Sequence, residues 1–337
     1  MDDIVAYSRD RIERGSKSFA GAARLFDADT RASAYMLYAW CRHCDDVIDG
    51  QELGRDIGAG TGEAQRAVLV ELTAQTRAAL QGRTDAPVFE ALRLVTQKHD
   101  IPDTHPMELL EGFRMDVDCV PFHTIDDTLA YSYHVAGVVG VMMAMIMGVR
   151  DRATLNRASD LGIAFQLTNI ARDVVADANG GRCYLPDAWL IAEGIAATPD
   201  AVADPANRTA VHRATVRLLD TADQYYASAA IGVRALPPRA AWAIAAARNV
   251  YSEIGDVVRA RGTAAWDQRA YVPKSRKAVG VARGGLQVIA AKSAKALGFG
   301  GAARAHDRSG LWTHQGLGEA AQRTADADHA SASASAI

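Results

Sequence analysis

Apolar positions recur at spacings of three and four along almost the whole chain, and the alternation that marks a half-buried strand is hard to find. The pattern predicts a nearly all-helical protein. Helices are expected over about 3–14, 30–49, 63–81, 85–99, 106–118, 126–149, 151–177, 207–234, 238–261 and 274–296. Asp29 or Thr30 is expected to cap the second helix and Asp151 the seventh, because their side-chain oxygens accept orphan N–H groups. Gly180-Gly181 stops the seventh helix, and Leu236-Pro237-Pro238 separates the helices expected at 207–234 and 238–261. The run 135–149, with Met142, Met143, Met145 and Met147, is apolar on every side. It is shorter than the ~20 residues a spanning helix needs, so a buried core helix is expected there. The glycine-rich stretch from Gly50 to Gly62 reads as a mobile loop.

The helical pattern stops near Phe299, where the chain turns to Ala, Gly, Ser, His and Asp. Such a composition buries too little apolar surface to offset its ordering entropy, so 299–337 is expected to be a disordered tail. No linker interrupts residues 1–298, which are expected to form one domain. With 49% hydrophobic and 23% charged residues, that domain has ample material for a core. The net charge of -3, from 37 basic and 40 acidic residues, gives no general surface for nucleic acid. Four cysteines and no signal peptide suggest a reducing, cytoplasmic setting. Cys41-Arg42-His43-Cys44 has the spacing of a redox or zinc pair, but it lies mid-helix and no second pair accompanies it.

Two acidic stripes carry the candidate chemistry. Asp45 and Asp49 are one helical turn apart, rising ~6 Å along a face shared with Tyr38 and Arg42. A free acidic face would be solvated, yet Tyr35, Met36, Leu37, Trp40, Val47 and Ile48 surround this one. Gln166, Asn169, Asp173 and Asp177 follow at spacings of three, four and four on a second apolar helix. An amide and four carboxylates are hard oxygen ligands suited to Mg²⁺, and with no His or Cys in the second stripe zinc is not expected there. Divalent ions between two such helices would let a diphosphate approach them, with arginines adding bidentate donors. Arg42 and Arg172 lie beside the stripes, while Lys17, Arg182, Arg269 and Lys274 come from loops or helix ends.

Five ordered segments add a resemblance: Ser16-Lys17-Ser18-Phe19, Cys41 to Asp49, Tyr131 to Gly140, Gln166 to Asp177, and Gly181-Arg182-Cys183-Tyr184-Leu185-Pro186. Over residues 5–296 the chain resembles the squalene and phytoene synthase family, the head-to-head isoprenoid synthases. The resemblance implies an all-α isoprenoid synthase fold, a helical bundle around a central cavity. Asp45, Asp49, Asn169, Asp173 and Asp177 would hold Mg²⁺, with Mn²⁺ as the alternative ion. Ser18, Arg42, Arg172, Tyr251 and Arg269 would contact diphosphates, with Ser16, Lys17, Phe19, Gln166 and Arg182 completing the substrate-binding set. Tyr131 matches the family's active-site tyrosine.

The implied reaction joins two geranylgeranyl diphosphates through prephytoene diphosphate to phytoene, without NADPH. The alternative within the family is squalene or dehydrosqualene formation from farnesyl diphosphate; a non-catalytic scaffold of the same fold would have lost the aspartates. Phe19, Phe26, Val135, Val138, Met142, Phe165 and Leu167 are candidates for an apolar wall shielding a carbocation. Amphiphilic substrates and a hydrocarbon product lead us to expect peripheral contact with the inner face of a membrane and hand-over to phytoene desaturase.

Overall fold

A computed structural model describes residues 1–52, 55–56, 62–296 and 308–314; the side chains of Lys17 and Ser18 lie outside that description. Helix α1 (Asp2–Gly15) is followed by α2 (Lys17–Ala23) and α3 (Ala28–Ile48). Antiparallel β1 (Gln51–Glu52) and β2 (Arg55–Asp56) come next, then α4 (Gly62–Leu80), α5 (Pro87–Lys98), α6 (Thr104–Val117) and α7 (Ile125–Ser132). A π-helical segment, Tyr133–Gly137, joins α7 to α8 (Val138–Ile146). After α9 (Arg152–Asn179) come the short α10 (Asp187–Ala192) and α11 (Pro199–Ala203). Long helices α12 (Arg208–Gly232), α13 (Pro238–Arg261) and α14 (Lys274–Ala296) complete the bundle.

The all-helical expectation holds, with corrections at the ends of elements. Asp27, not Asp29 or Thr30, caps α3, accepting from the Asp29 and Thr30 amides at 3.1 and 2.9 Å. Asp151 caps α9 as expected, accepting from Thr154 N at 2.9 Å. The short helices α2, α10 and α11 were not anticipated, because one or two turns carry too little periodicity to read. Of the glycine-rich stretch, residues 53–54 and 57–61 lie outside the described residues, and the rest contributes the two-residue strand pair.

Helix α9 is the spine. It packs against α12, α8, the π-helical segment and α13, while α3 packs between α1 and α5. The contact with the π-helical segment depends on a glycine. A Cβ at Gly162 would sit 2.2 Å from Ala136 O and 2.7 Å from Gly137 Cα, which are backbone atoms that cannot swing aside. The buried cluster runs through the whole bundle from Ile12 to Val288, with Trp40, Leu92, Val138, Met142 and Leu167 fully inaccessible. The α7 to α8 stretch, Ile125–Ile146, is long and apolar enough to cross a membrane, but 61% of its most apolar window is buried inside the protein.

The tail is the largest departure from expectation. Residues 308–314, placed by composition in a disordered segment, dock on the bundle. Arg308 pairs bidentately with the fully buried Asp160, Nη2 to Oδ1 at 2.5 Å and Nε to Oδ2 at 2.7 Å. Tyr225 Oη accepts from Trp312 N at 3.1 Å, and Leu311 and Trp312 pack on the core. Residues 297–307 and 315–337 lie outside the described residues.

Candidate active site

Helix α3 and its C-cap residue present Tyr38, Arg42, Asp45 and Asp49 along one face, and all four line a single cavity of about 860 Å³. Their spacing alone puts them there. Arg42 donates from Nη1 to Asp45 at 2.8 Å and from Nη2 to the buried Asp46 at 2.6 Å. Its Nε is buried and has no partner among the described residues. Burial raises the Asp45 carboxyl to about 6, helped by neighbouring Asp49, Asp46 and Asp116 and opposed by Arg42. Burial likewise raises Asp49, against Arg182, whose Nη1 is 3.7 Å from Asp49 Oδ1.

Helix α9 supplies the second stripe. Gln166, Asn169 and Arg172 line the same cavity. Gln166 Oε1 accepts from Asn169 Nδ2 at 3.3 Å, which orients the amide and leaves Asn169 Oδ1 buried without a partner among the described residues. Asp173 and Asp177 stand one and two turns further, outside the lining wall. Asp173 accepts from Arg172 Nη2 at 2.5 Å and from Arg269 Nε and Nη2 at 3.0 and 2.9 Å. Burial opposes ionisation of Asp173, but these arginine hydrogen bonds outweigh it and the net shift is downward. Asp177 goes the other way, raised to about 7 by burial and by the charge on Asp173.

These facts test whether a divalent metal fits. A hard cation among Asp45, Asp49, Asn169, Asp173 and Asp177 would satisfy the orphaned amide oxygen and offset the burial and like-charge repulsion that raise Asp45 and Asp177. The donors are all oxygen, so the set fits.

Tyr131, on α7, also lines the cavity, and its setting was not legible in the sequence. Its hydroxyl donates to Asp116 Oδ2 at 2.8 Å, while Tyr184 donates to Asp116 Oδ1 at 2.7 Å. The two rings stack at 4.9 Å with 17° between planes, and Phe122 meets both edge-on at 5.4 Å. Asp116 is a lining residue that sequence reasoning missed; burial raises its carboxyl against Arg182 and both tyrosines. Its only sequence signal was a carboxylate on the apolar face of α6. Tyr184 reaches Asp116 because α9 ends at Gly180-Gly181, where Gly181 has φ +79°, a left-handed turn that favours glycine. The following loop is anchored by Thr128 Oγ1 donating to Tyr184 O at 3.0 Å.

The remaining expected residues divide. Ser16, Phe19, Tyr251 and Arg269 line the cavity, and Tyr251 packs on Phe165 at 4.3 Å. Ser16 also caps α2, accepting from Phe19 N at 3.3 Å. Arg182 touches the site through Asp49 without lining it. Lys277, rather than Lys274, is the lining lysine of α14. Of the proposed apolar wall, Phe19, Phe26, Val135 and Phe165 line the cavity, but Val138, Met142 and Leu167 are solid core. The π-helical segment explains the error at Val138 and Met142: its wider turn shifts the helical phase, so Ala136, Val139, Gly140 and Met143 face the cavity instead. Burial raises the Cys41 thiol to about 12 and leaves Cys44 wholly inaccessible, a setting that disfavours the thiolate a redox pair needs.

The sequence pattern of the family described as squalene/phytoene synthase matches residues 12–276. A 15-cis-phytoene synthase of Enterobacter agglomerans is 54% identical over 258 residues, covering 77% of this chain and 87% of the relative. A 15-cis-phytoene synthase of Paracoccus sp. is 49% identical over 316 residues, covering 93% and 98%. Among solved structures, a dehydrosqualene synthase in complex with a ligand superimposes with a TM-score of 0.74 at 26% identity, covering 86% of this chain and 98% of that one. With a family match across most of its length and relatives about half identical, the chain belongs to the squalene/phytoene synthase family.

Proposed function

We propose that this protein is a prenyltransferase that condenses two geranylgeranyl diphosphates head to head into phytoene, through prephytoene diphosphate. The observation that carries the reading is one cavity holding two buried polar atoms without partners among the described residues, Arg42 Nε and Asn169 Oδ1, beside cavity-facing aromatic or aliphatic walls from α2, α8, α9 and α13. A diphosphate oxygen suits the first and a metal ion the second. The naming of relatives about half identical to this chain favours phytoene over squalene.

Mg²⁺, or Mn²⁺ in its place, held by Asp45, Asp49, Asn169, Asp173 and Asp177 would supply the electrophilic pull on a departing diphosphate. Arg42, Arg172 and Arg269 bind and orient the diphosphates, since each is a guanidinium at the carboxylate stripes and its fork matches phosphate oxygens. The Lys17 and Ser18 contacts expected from the resemblance fall on side chains outside the described residues. When the C1–O bond of one substrate breaks, its electron pair leaves with diphosphate, and the second substrate's double bond attacks the allylic cation. Phe19, Phe165 and Tyr251 keep water from that cation. Loss of a proton then closes the cyclopropane. The Tyr131 oxygen accepts that proton as its own hydroxyl proton passes along the hydrogen bond to Asp116, whose carboxylate ends the relay protonated. A second ionisation, rearrangement and proton loss give phytoene with no reductant.

The product is a long hydrocarbon, and we infer peripheral contact with a membrane and direct transfer to phytoene desaturase. Helix α14 supports this reading: Val279, Leu286 and Ile289 are 64–68% exposed on one face. Its exposed residues also include Lys274, Arg276 and Arg283, and the helix contains no acidic residue. Failure of the purified protein to float with anionic liposomes would remove this part of the reading.

The deciding experiment supplies Mg²⁺ with geranylgeranyl or farnesyl diphosphate, with and without NADPH, and identifies products by mass. The expected product is a forty-carbon triene-cored hydrocarbon formed without reductant. A preferred thirty-carbon product would overturn the substrate assignment. Asp173→Asn should abolish turnover with helicity retained; an active variant would remove Asp173 from the metal set.

A further inference from the structure

A second group of ligand-type side chains lies apart from the acidic stripes. Glu108 of α6, His134 of the π-helical segment and His314 of the docked C-terminal segment each offer one ligand atom, all within 4.8 Å of one another. His134 Nδ1 is 2.9 Å from Glu108 Oε2, and His314 Nε2 is 3.7 Å from Glu108 Oε1. Zinc bonds to nitrogen and oxygen of about 2.0–2.1 Å in a tetrahedron require ligand atoms roughly 3.3 Å apart. The two observed separations, one to each oxygen of the single carboxylate, fall on either side of that value, and an ion would take the place of the 3.2 Å contact between His134 Nδ1 and Glu108 O. The histidine rings converge from different directions, with centroids 5.6 Å apart and planes at 76°. The His314 ring is held in place by stacking on Tyr133 at 4.3 Å with 6° between planes.

We propose that Glu108, His134 and His314 bind one Zn²⁺ ion, with water as the fourth ligand, and that this ion fastens the C-terminal segment to the wall of the cavity. Two imidazoles and one carboxylate are the donor set that borderline divalent ions select, whereas the all-oxygen stripes select Mg²⁺. The ligands come from three separate elements, so the ion would cross-link α6, the π-helical segment and residues 308–314. The sequence neighbours Leu109 and Val135 line the catalytic cavity, so the cross-link stiffens one side of it. The pair Arg308 and Asp160 fixes the other end of the same segment independently of any metal.

The test uses the full chain, stripped with a chelator and then dialysed against Zn²⁺ in saturating Mg²⁺, so that the aspartates are already filled. Elemental analysis should find about one Zn²⁺ per wild-type chain and none at this site in His314→Ala or Glu108→Gln. His314 sits on a terminal segment, so its loss leaves the bundle folded, which circular dichroism checks. Protease cleavage after Arg308 should slow on adding Zn²⁺ to the wild type and stay unchanged in His314→Ala. Absence of bound Zn²⁺, or equal stoichiometry in wild type and both variants, would overturn the proposal and leave Glu108 and the histidines as a hydrogen-bonded cluster. Condensation of substrate with Mg²⁺ alone is measured separately, so this failure would not touch the proposed reaction.

Discussion

Replacing Arg308 with Leu should destabilise the whole bundle, although the residue lies beyond the last long helix. Asp160 has no accessible surface, and three donors reach it: Arg308 Nη2 at 2.5 Å, Arg308 Nε at 2.7 Å and Ser228 Oγ at 2.5 Å. Removing one member of a buried ion pair costs about 3–5 kcal/mol, because the surviving charge stays desolvated. Ser228 remains, and Arg157 donates to that same serine at 3.0 Å, so the lower end of the range, about 3 kcal/mol, is expected. That is a large fraction of the ~5–15 kcal/mol that holds a typical domain. Urea unfolding of wild type, Arg308→Leu, Asp160→Asn and the double variant would measure it. The double variant should recover about 2 kcal/mol relative to the sum of the singles, since the neutral amide no longer needs a cation. An Arg308→Leu stability within about 0.5 kcal/mol of wild type would refute the seating of residues 308–314 on the core.

Three further outcomes are expected. Gly162→Ala should cost about 1–3 kcal/mol or more in thermal or urea unfolding, because its Cβ would meet Ala136 backbone at 2.2 Å, whereas Gly21→Ala, with nothing within 4 Å, should be neutral or slightly stabilising. Tyr131→Phe and Asp116→Asn should each lower kcat by about 100-fold or more with little change in KM; a loss of less than about threefold in steady-state assays would remove the proton-accepting role. Burial holds His105 neutral, lowering it from 6.5 to about 4, so the unfolded chain binds the extra proton between those values and stability falls as pH drops through that window. The loss should reach about 2 kcal/mol between pH 7 and 5, and a His105→Gln variant whose stability varies as steeply over that range would exclude this histidine as its source.

How much could be read without the fold depended on the range of the interaction. The helical fold class and the two oxygen-rich stripes were legible because the 3.6-residue period alone places Asp45 with Asp49, and Asn169 with Asp173 and Asp177, on common faces. The cavity-facing position of Arg42 followed from the same arithmetic, and the ordered segments pointed to Tyr131 by resemblance. Asp116 was not legible, because it matters only through Tyr131, 15 residues away, and Tyr184, 68 away. The π-helical segment escaped because hydrophobic spacing cannot show one widened turn, and Val138 and Met142 were therefore assigned to the cavity instead of the core. Residues 308–314 escaped because composition measures what a segment can bury by itself. Arg308 is ordered by a carboxylate 148 residues earlier, a partner that exists only after α9 has packed. Local periodicity set which residues share a helix face; the tertiary structure decided which faces meet, because contacts between distant segments depend on packing that no local pattern encodes.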